Sequence, residues 1–214
     1  LGIPALALVS GLEGAGTIGY VGINNRAAGR TAGYFMGRFA RQAGPVAIVS
    51  GGELYSAHED REMGFRAALR QRFPRLHEVI VLSGHDDADG NHRAVRDALA
   101  AHPGLVGLYS VGGGNAGVVR ALVEAGVADE VVFIKHNLTP QTVGPLLEGA
   151  IDLVLHVDMR AVAQEAVAAL IARLEGGSAT QRIVPFEVIC RENVQGACFG
   201  TSETAAPHGA SRVI

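Results

Sequence analysis

The 214-residue chain has no tryptophan, only 5% aromatic residues and only two cysteines, Cys190 and Cys198. Two cysteines are too few for a disulfide framework, and no histidine or cysteine lies beside them at zinc-finger spacing, so we expect a reduced, cytoplasmic setting. No apolar run approaches the roughly 20 residues that a membrane-spanning helix needs, and no signal peptide precedes the first predicted strand. These absences predict a soluble protein without a membrane partner.

An excess of positive charge is also missing. The formal net charge is −3 and the pI is about 6.2, so the chain has no overall basic character that would attract nucleic acid. Seventeen of the 18 basic residues are arginine, which we attribute to codon composition rather than to a site. The chain begins without methionine, directly at a strand-like segment, and we therefore expect it to be a piece of a longer protein.

Short apolar runs alternate with helical patterns at least five times, and 29 glycines provide the tight turns between them. This alternation predicts a doubly wound α/β architecture with a parallel sheet. The predicted strands cover residues 3–9, 18–23, 46–49, 78–82, 105–110, 131–135 and 151–155, with a last strand over 183–190. Pro185 interrupts that last strand, which favours an edge or a crossover because proline cannot donate to a sheet ladder.

The segment 45–73 is the most informative part of the chain. An all-apolar strand ends at two glycines, and the helix that follows has one apolar face, formed by Phe65, Ala68, Leu69 and Phe73. Arg61 lies one turn earlier on that face, level with the carboxyl end of the strand. A cation at a helix N-terminus opposes the helix dipole, so we expect a compensating partner, either a bound ligand or nearby Glu59 or Asp60.

Further polar residues fall at or just past the carboxyl ends of predicted strands: Ser10, Asn24, Ser110, His136, Asn137 and His156. Open α/β sheets bind ligands outside the carboxyl ends of their strands, so this set predicts a ligand site at that edge. Three glycines precede Asn115 and predict a turn that either faces the ligand or is purely structural. The lysine and hydroxyl of a P-loop are absent from it, which argues against a nucleotide phosphate cradle.

Four other patterns need an interpretation. The loop 11–16 joins two strands rather than a strand and a helix, so we interpret it as a plain turn. The acidic run 83–92 predicts helix caps rather than a metal site, and we expect neither a metal nor a cofactor. Gly29, Gly33 and Gly37 are spaced by four, which favours helix-on-sheet packing and leaves a helix–helix or subunit contact open. Over 159–174 the predicted buried stripe is Ala163, Val167, Leu170, Ile171 and Leu174.

Four segments, in this order, resemble the effector-binding domain of LacI/GalR-family transcriptional regulators: YVGINNRAAGRTAGYFMGRF over 20–39, REMGF over 61–65, LYSVGGGN over 108–115 and PFEVICRENV over 185–194. The resemblance implies a periplasmic-binding-protein-like fold of type I, with two Rossmann-like doubly wound lobes and three crossings between them. It implies a complete C-terminal lobe over 25–156 and 185–195, and part of the N-terminal lobe over 1–24 and 157–184. Residues 196–214 lack periodicity and predict a mobile tail.

The resemblance also implies a function. Arg61 matches the family's ligand-gripping arginine, and Asn115 falls in the ligand-facing turn. Three positions depart from the pattern of sugar binders: Ser10 stands where a charged pair is common, Asn137 replaces an acidic residue, and His156 replaces glutamine or aspartate. The class of ligand, neutral or anionic, therefore stays open.

We accordingly expect a carbohydrate-sensing domain of a homodimeric repressor, which binds operator DNA only through a domain absent from this chain and is coupled to it allosterically. The alternative is the periplasmic sugar-binding protein of an ABC transporter. We do not expect an enzyme, because no nucleophile elbow, P-loop, HExxH motif or Cys–His–acid set occurs in a supporting context.

Overall fold

The computed structural model describes residues 3–12, 16–52, 55–76, 79–178 and 181–194. The predicted tail over 196–214 and the tip of the 11–16 loop lie outside these residues. The strands are β1 Ala7–Leu8, β2 Tyr20–Gly22, β3 Val46–Ser50, β4 Val79–Ser83, β5 Gly107–Ser110, β6 Val132–His136, β7 Leu153–Val157, β8 Arg182–Ile183 and β9 Phe186–Ile189. The helices are α1 Asn25–Phe39, α2 Ser56–Arg72, α3 Ala88–Ala101, α4 Asn115–Glu124, α5 Pro140–Glu148 and α6 Met159–Leu174.

The strands form two sheets. The larger has the order β4-β3-β5-β6-β7-β9 and is parallel except for β9, which pairs antiparallel with β7. The smaller has the order β1-β2-β8 and is wholly parallel. The predicted α/β architecture with doubly wound parallel sheets is confirmed. From β3 the chain passes to β4 on one side and then to β5 on the other, so the order reverses between β3 and β5, where such sheets open a crevice.

Each face of the larger sheet carries its own apolar core. Buried strand side chains alternate between the faces, so that Ile48 and Ile134 join one core and Ala47 and Phe133 the other. The first core also includes α1, α2 and residues of β2 and α6, which connect it to the smaller sheet. No helix in the described residues has the length and apolar character needed to cross a membrane.

Helices α1 and α2 pack closely against each other, and the small residues of α1 make this possible. A Cβ atom on Gly29 would collide with the carbonyl group of Arg61, and one on Gly33 would lie 2.8 Å from the carbonyl oxygen of Phe65. The favoured prediction of helix-on-sheet packing for these glycines is therefore corrected to a helix–helix contact within the chain. The cause is that both helices cover the same face of the sheet.

The predicted buried stripe of α6 is also corrected. Its buried residues are Val162, Ala166 and Ala169, whereas Val167 and Leu174 of the predicted stripe are 57% and 76% exposed. Apolar residues surround most of this helix, so the 3.6-residue period fits more than one face and does not select between them.

Pro185 separates two strands that belong to different sheets. β8 pairs with β2 of the smaller sheet, and β9 joins the edge of the larger one beside β7. This confirms the predicted crossover, because proline lacks the N–H group that a continuous ladder would require.

Candidate functional site

A pocket of about 420 Å³ lies at the carboxyl edge of the larger sheet, beside the loop that follows β1 of the smaller one. Its size is in the range of small-molecule sites. It is lined by Leu8, Val9, Ser10, Tyr55, Ala57, His58, Arg61, Val111, Gly112, Gly113, Asn115, Lys135, His136, Asn137 and Thr139. Both sheets therefore contribute to its walls.

Arg61 forms the base of this site. It is only 5% exposed, its Nε donates to Oδ1 of Asn25 at 2.8 Å, and a terminal nitrogen donates to the carbonyl of Val111 at 2.8 Å. Within the described residues it pairs with neither Glu59 nor Asp60, which were the alternative partners predicted from the sequence. Burial lowers the pKa of Arg61 from its usual value, as expected for a cation held only by neutral groups.

A hydrogen-bond network connects Arg61 to the smaller sheet. The amide nitrogen of Asn25 donates to the carbonyl of Val9 at 3.2 Å, and the hydroxyl of Tyr20 lies 3.0 Å from the same carbonyl. Val9 has a φ angle of 66°, which costs a β-branched residue about 1–3 kcal/mol and persists only where surrounding contacts enforce it. The network thus fixes the pocket wall that the smaller sheet provides, and ties it to the arginine.

His136 is buried at the end of β6 and contacts Tyr109. Its Nε2 lies 2.6 Å from the Tyr109 hydroxyl, and burial raises the pKa of Tyr109, so this hydroxyl stays protonated. The imidazole tautomer sets which of the two groups donates. The other ring nitrogen, Nδ1, has no partner among the described residues. Burial, with the positive charges of Arg61, His58 and Lys135, holds the pKa of His136 well below its ordinary value, so the ring is neutral near pH 7.

Lys135 also lines the pocket and is only 1% exposed. Its ammonium group donates to the hydroxyl of Thr142 at 3.3 Å, and burial lowers its pKa to about 8. Lys135 is the single lysine of the chain, against 17 arginines. Sequence reasoning missed it, although a unique lysine at the end of a buried strand was a usable signal.

Two amide side chains present unused acceptors at the pocket. Asn115 donates to the carbonyl of Gly112 at 3.0 Å, but its Oδ1 is buried without a partner. Asn137 has a φ angle of 58°, and its Oδ1 is likewise buried and unpartnered. Buried polar atoms are normally bonded, so these oxygens indicate places where a ligand donates hydrogen bonds.

His58 and Ser10 complete the polar lining. Burial and the charge of Arg61 lower the pKa of His58 against the opposing influence of Asp86, and its Nδ1 has no partner in the described residues. Ser10 lies 3.2 Å from the hydroxyl of Ser56 and accepts from the N–H group of Ala57 at 3.3 Å. His58, like Lys135, was not among the predicted site residues, because a histidine inside a helix carries no distinctive spacing.

The structure brings five of the eight predicted site residues into the pocket wall: Ser10, Arg61, Asn115, His136 and Asn137. The other three lie nearby but outside it. Asn24 caps α1 by accepting from Ala27 at 2.9 Å, Ser110 donates to the carbonyl of Gly112 at 3.3 Å, and His156 accepts from the N–H group of Leu138 at 3.3 Å. Ligand contact by any of the eight stays a prediction.

The acidic run after β4 serves structural roles in this fold. Asp87 caps α3 by accepting from Gly90 at 2.6 Å, Asp89 pairs with Arg120 at 2.7 Å, and Asp86 accepts from the N–H group of Gly113 at 2.7 Å. Within the part of the chain that the structure describes, no group of three or more histidine, cysteine or acidic side chains could hold a metal ion.

The sequence profile described as periplasmic binding protein domain matches residues 1–178. The chain belongs to this family. The periplasmic-binding-protein-like fold expected from the sequence is thereby confirmed, whereas membership of the LacI/GalR group stays a prediction. A comparison with curated proteins found no significant match.

Solved structures agree with the family. AraP, an arabinose-binding protein from Geobacillus stearothermophilus, is 26% identical with a TM-score of 0.80, over 91% of this chain and 70% of that one. An ABC transporter solute-binding protein from Burkholderia graminis, in complex with D-arabinose, is 25% identical with a TM-score of 0.85, over 92% and 70%. A sugar-binding protein of a sugar ABC transporter from Bacillus halodurans is 25% identical with a TM-score of 0.82, over 91% and 72%.

Proposed function

We propose that this chain binds a small carbohydrate or carbohydrate derivative in the pocket at the carboxyl edge, without turning it over. The observation that carries the proposal is the set of buried, unpartnered polar atoms on Asn115, His136 and Asn137, which line a cavity of about 420 Å³. Hydroxyl groups of a sugar both donate and accept, so they can satisfy the two amide oxygens and, in either tautomer, the free ring nitrogen of His136 together. The relatives named above as sugar-binding proteins support this class of ligand.

The proposed role of binding is sensing, as the effector domain of a LacI-type repressor. The ordered motif resemblance supports this role. Val9 and Ser10 directly follow β1 of the smaller sheet, while Arg61 and His136 come from the larger sheet and its helices. A ligand that contacts both sides stabilises one arrangement of the sheets over another, and coupling of this kind is typically worth 1–3 kcal/mol. The regulator would be a cytoplasmic homodimer whose operator contacts come from another domain.

A second candidate is the binding component of a sugar ABC transporter. The transporter proteins from Burkholderia graminis and Bacillus halodurans favour it, since each matches about nine-tenths of the chain. The same pocket would then capture the sugar for delivery to a membrane permease, and the protein would be exported.

Calorimetric titration of the full-length gene product with common pentoses, hexoses, and their acid and phosphate derivatives tests the binding function. Saturable binding of at least one compound at a 1:1 ratio is expected, and no binding by a cooperatively folded protein would contradict it. Selection of DNA fragments by the same protein, with and without that compound, separates the two roles. Ligand-dependent recovery of one sequence supports the sensor, and export of a protein that retains no DNA supports the transporter. Light scattering measures the proposed dimer.

A further inference from the structure

The pocket wall carries an unbalanced charge. Four basic side chains line it, namely His58, Arg61, Lys135 and His136, and none of the lining side chains in the described residues is a carboxylate. Asp86 raises the pKa of His58 against stronger opposing effects, and within the described residues no carboxylate forms an ion pair with Arg61 or Lys135. This contrasts with the more accessible arginines Arg66, Arg120 and Arg182, each of which pairs with a carboxylate within 2.8 Å.

The two strongest cations of the pocket have only neutral partners. Arg61 uses two of its five N–H donors, on the amide of Asn25 and the carbonyl of Val111. The ammonium group of Lys135 uses one of three donors, on the hydroxyl of Thr142. A buried charge without a counter-ion is costly, and proteins rarely retain one unless something else compensates it. Both residues line the same cavity, so negative charge bound in it would act on each of them.

The neutral part of the wall suits the rest of such a ligand. The unpartnered Oδ1 atoms of Asn115 and Asn137 are acceptors, and they match hydroxyl donors rather than an anionic group. The pocket therefore offers donors with positive charge and, separately, acceptors for hydroxyl groups.

We propose that the ligand is an acidic carbohydrate derivative, a polyhydroxy carboxylate or a sugar phosphate, whose anionic group supplies the negative charge that Arg61 and Lys135 lack. Its hydroxyl groups donate to Asn115 and Asn137. This inference rests on the proposed carbohydrate-binding function and narrows its ligand class.

The proposal gives binding a defined pH dependence. Lys135 has a pKa of about 8 in the free protein, and a bound anion favours its charged form and so raises that pKa. Binding then takes up a proton, and the affinity for an acidic ligand falls by up to about tenfold between pH 7 and pH 9. The other groups near the site that titrate or carry charge are His58 and Arg61 on α2, His136 on β6, and Asp86.

The test is calorimetry on the full-length protein with matched compounds: D-arabinose, D-arabinonate and D-arabinose 5-phosphate, then the same series for the common aldopentoses and aldohexoses, with uronates added. At least one acid or phosphate ester should bind ten or more times more tightly than its neutral parent. The carboxylate and phosphate arms then show which anion the site takes. Inorganic phosphate alone should bind far more weakly, and equal binding of it would overturn the carbohydrate part of the proposal.

Two variants complete the test. Lys135→Met should weaken the acidic ligand tenfold or more at pH 7, remove its pH dependence, and leave or raise the melting temperature. Arg120→Gln, which removes a surface pair with Asp89, should change neither the affinity for the acidic ligand nor its pH dependence. A neutral sugar that binds more tightly than every acid would overturn this inference and leave the proposed function in place. Failure of all the compounds, neutral and acidic, to bind a protein that melts cooperatively would overturn both.

Discussion

Two depressions lie at opposite edges of the larger sheet, and they differ in size, in charge and in how well their polar groups are bonded. The one at the amino edge is larger, about 740 Å³ against about 420 Å³ at the carboxyl edge. Its charged lining mixes both signs: Arg38, Arg41, Asp129, Glu130, Glu148, Asp152, Arg191 and Glu192. In the part of the chain that the structure describes, the carboxyl-edge pocket is lined by basic side chains and by no carboxylate.

The polar atoms at the two edges also differ in whether they have hydrogen-bond partners. Asp152 at the amino edge accepts from the N–H group of Phe133 at 2.7 Å, and burial raises its pKa. At the carboxyl edge four side chains retain a buried atom without a partner, on His58, Asn115, His136 and Asn137, and none of the lining residues at the amino edge does so within the described chain. Unmet bonding capacity, rather than volume, therefore identifies the candidate site.

The largest expected effect is at Arg61. Arg61→Ala should weaken ligand binding by about 1.5–3 kcal/mol, the range for hydrogen bonds to charged groups. It should also reduce the free energy of unfolding by about 1–3 kcal/mol, because Asn25 and Val111 lose a buried partner. Calorimetry with the bound compound and urea denaturation measure the two losses. Unchanged affinity would remove Arg61 from the site and break the contrast between the edges.

Lys135→Met should stabilise the free protein, because it replaces a buried, unpaired ammonium with an apolar side chain of similar length. The folded pKa of about 8 lies below the ordinary 10.5, so the charged form disfavours folding below about pH 8, and this cost is relieved as pH rises toward 10.5. The gain is at most about 3 kcal/mol at pH 7 and shrinks through that window. Denaturation of both proteins at pH 7 and pH 10 measures it, and a pH-independent difference would argue against the lysine as its cause.

Gly29→Ala should destabilise the fold by about 1–3 kcal/mol, since the added Cβ collides with the carbonyl group of Arg61 and the packed helices must separate. The matched control is Gly104→Ala in the turn before β5, where a Cβ meets nothing within 4 Å, and alanine there should stabilise by about 0.4–1 kcal/mol. Thermal denaturation of the two variants gives the comparison. Similar values for both would show that α1 and α2 yield without cost.

The smallest effect is expected at the amino edge. Arg191 is exposed and pairs with Glu192 at 3.0 Å, and such surface pairs contribute about 0–1 kcal/mol. Arg191→Ala should leave ligand affinity unchanged and alter the free energy of unfolding by no more than about 0.5 kcal/mol. A marked loss of binding in this variant would move the ligand to the amino edge.

Elements of the larger sheet were predictable, because short β-branched apolar runs bounded by glycine have few other uses in a protein interior. The strand over 46–49 is an example. The helix over 159–174 and the break at Pro185 were also predictable, and all three lie within a residue or so of their observed positions. The buried face of α6 was not predictable, nor was the element that the glycine face of α1 contacts. Small or apolar residues occupy several of their faces, and the neighbours that decide between those faces lie far away in sequence.

The sequence by itself determined the alternation of strands and helices, the crossover at Pro185 and the row of polar residues at strand ends, because these depend on local periodicity and on the chemistry of single residues. Only the tertiary structure decided that Arg61 bonds to Asn25 and Val111 rather than to its acidic neighbours on α2. It also decided that the one lysine of the chain lies buried in the same pocket. Burial and the absence of a counter-ion are properties of the surrounding residues, and those are assembled from segments that range from Leu8 to Thr139.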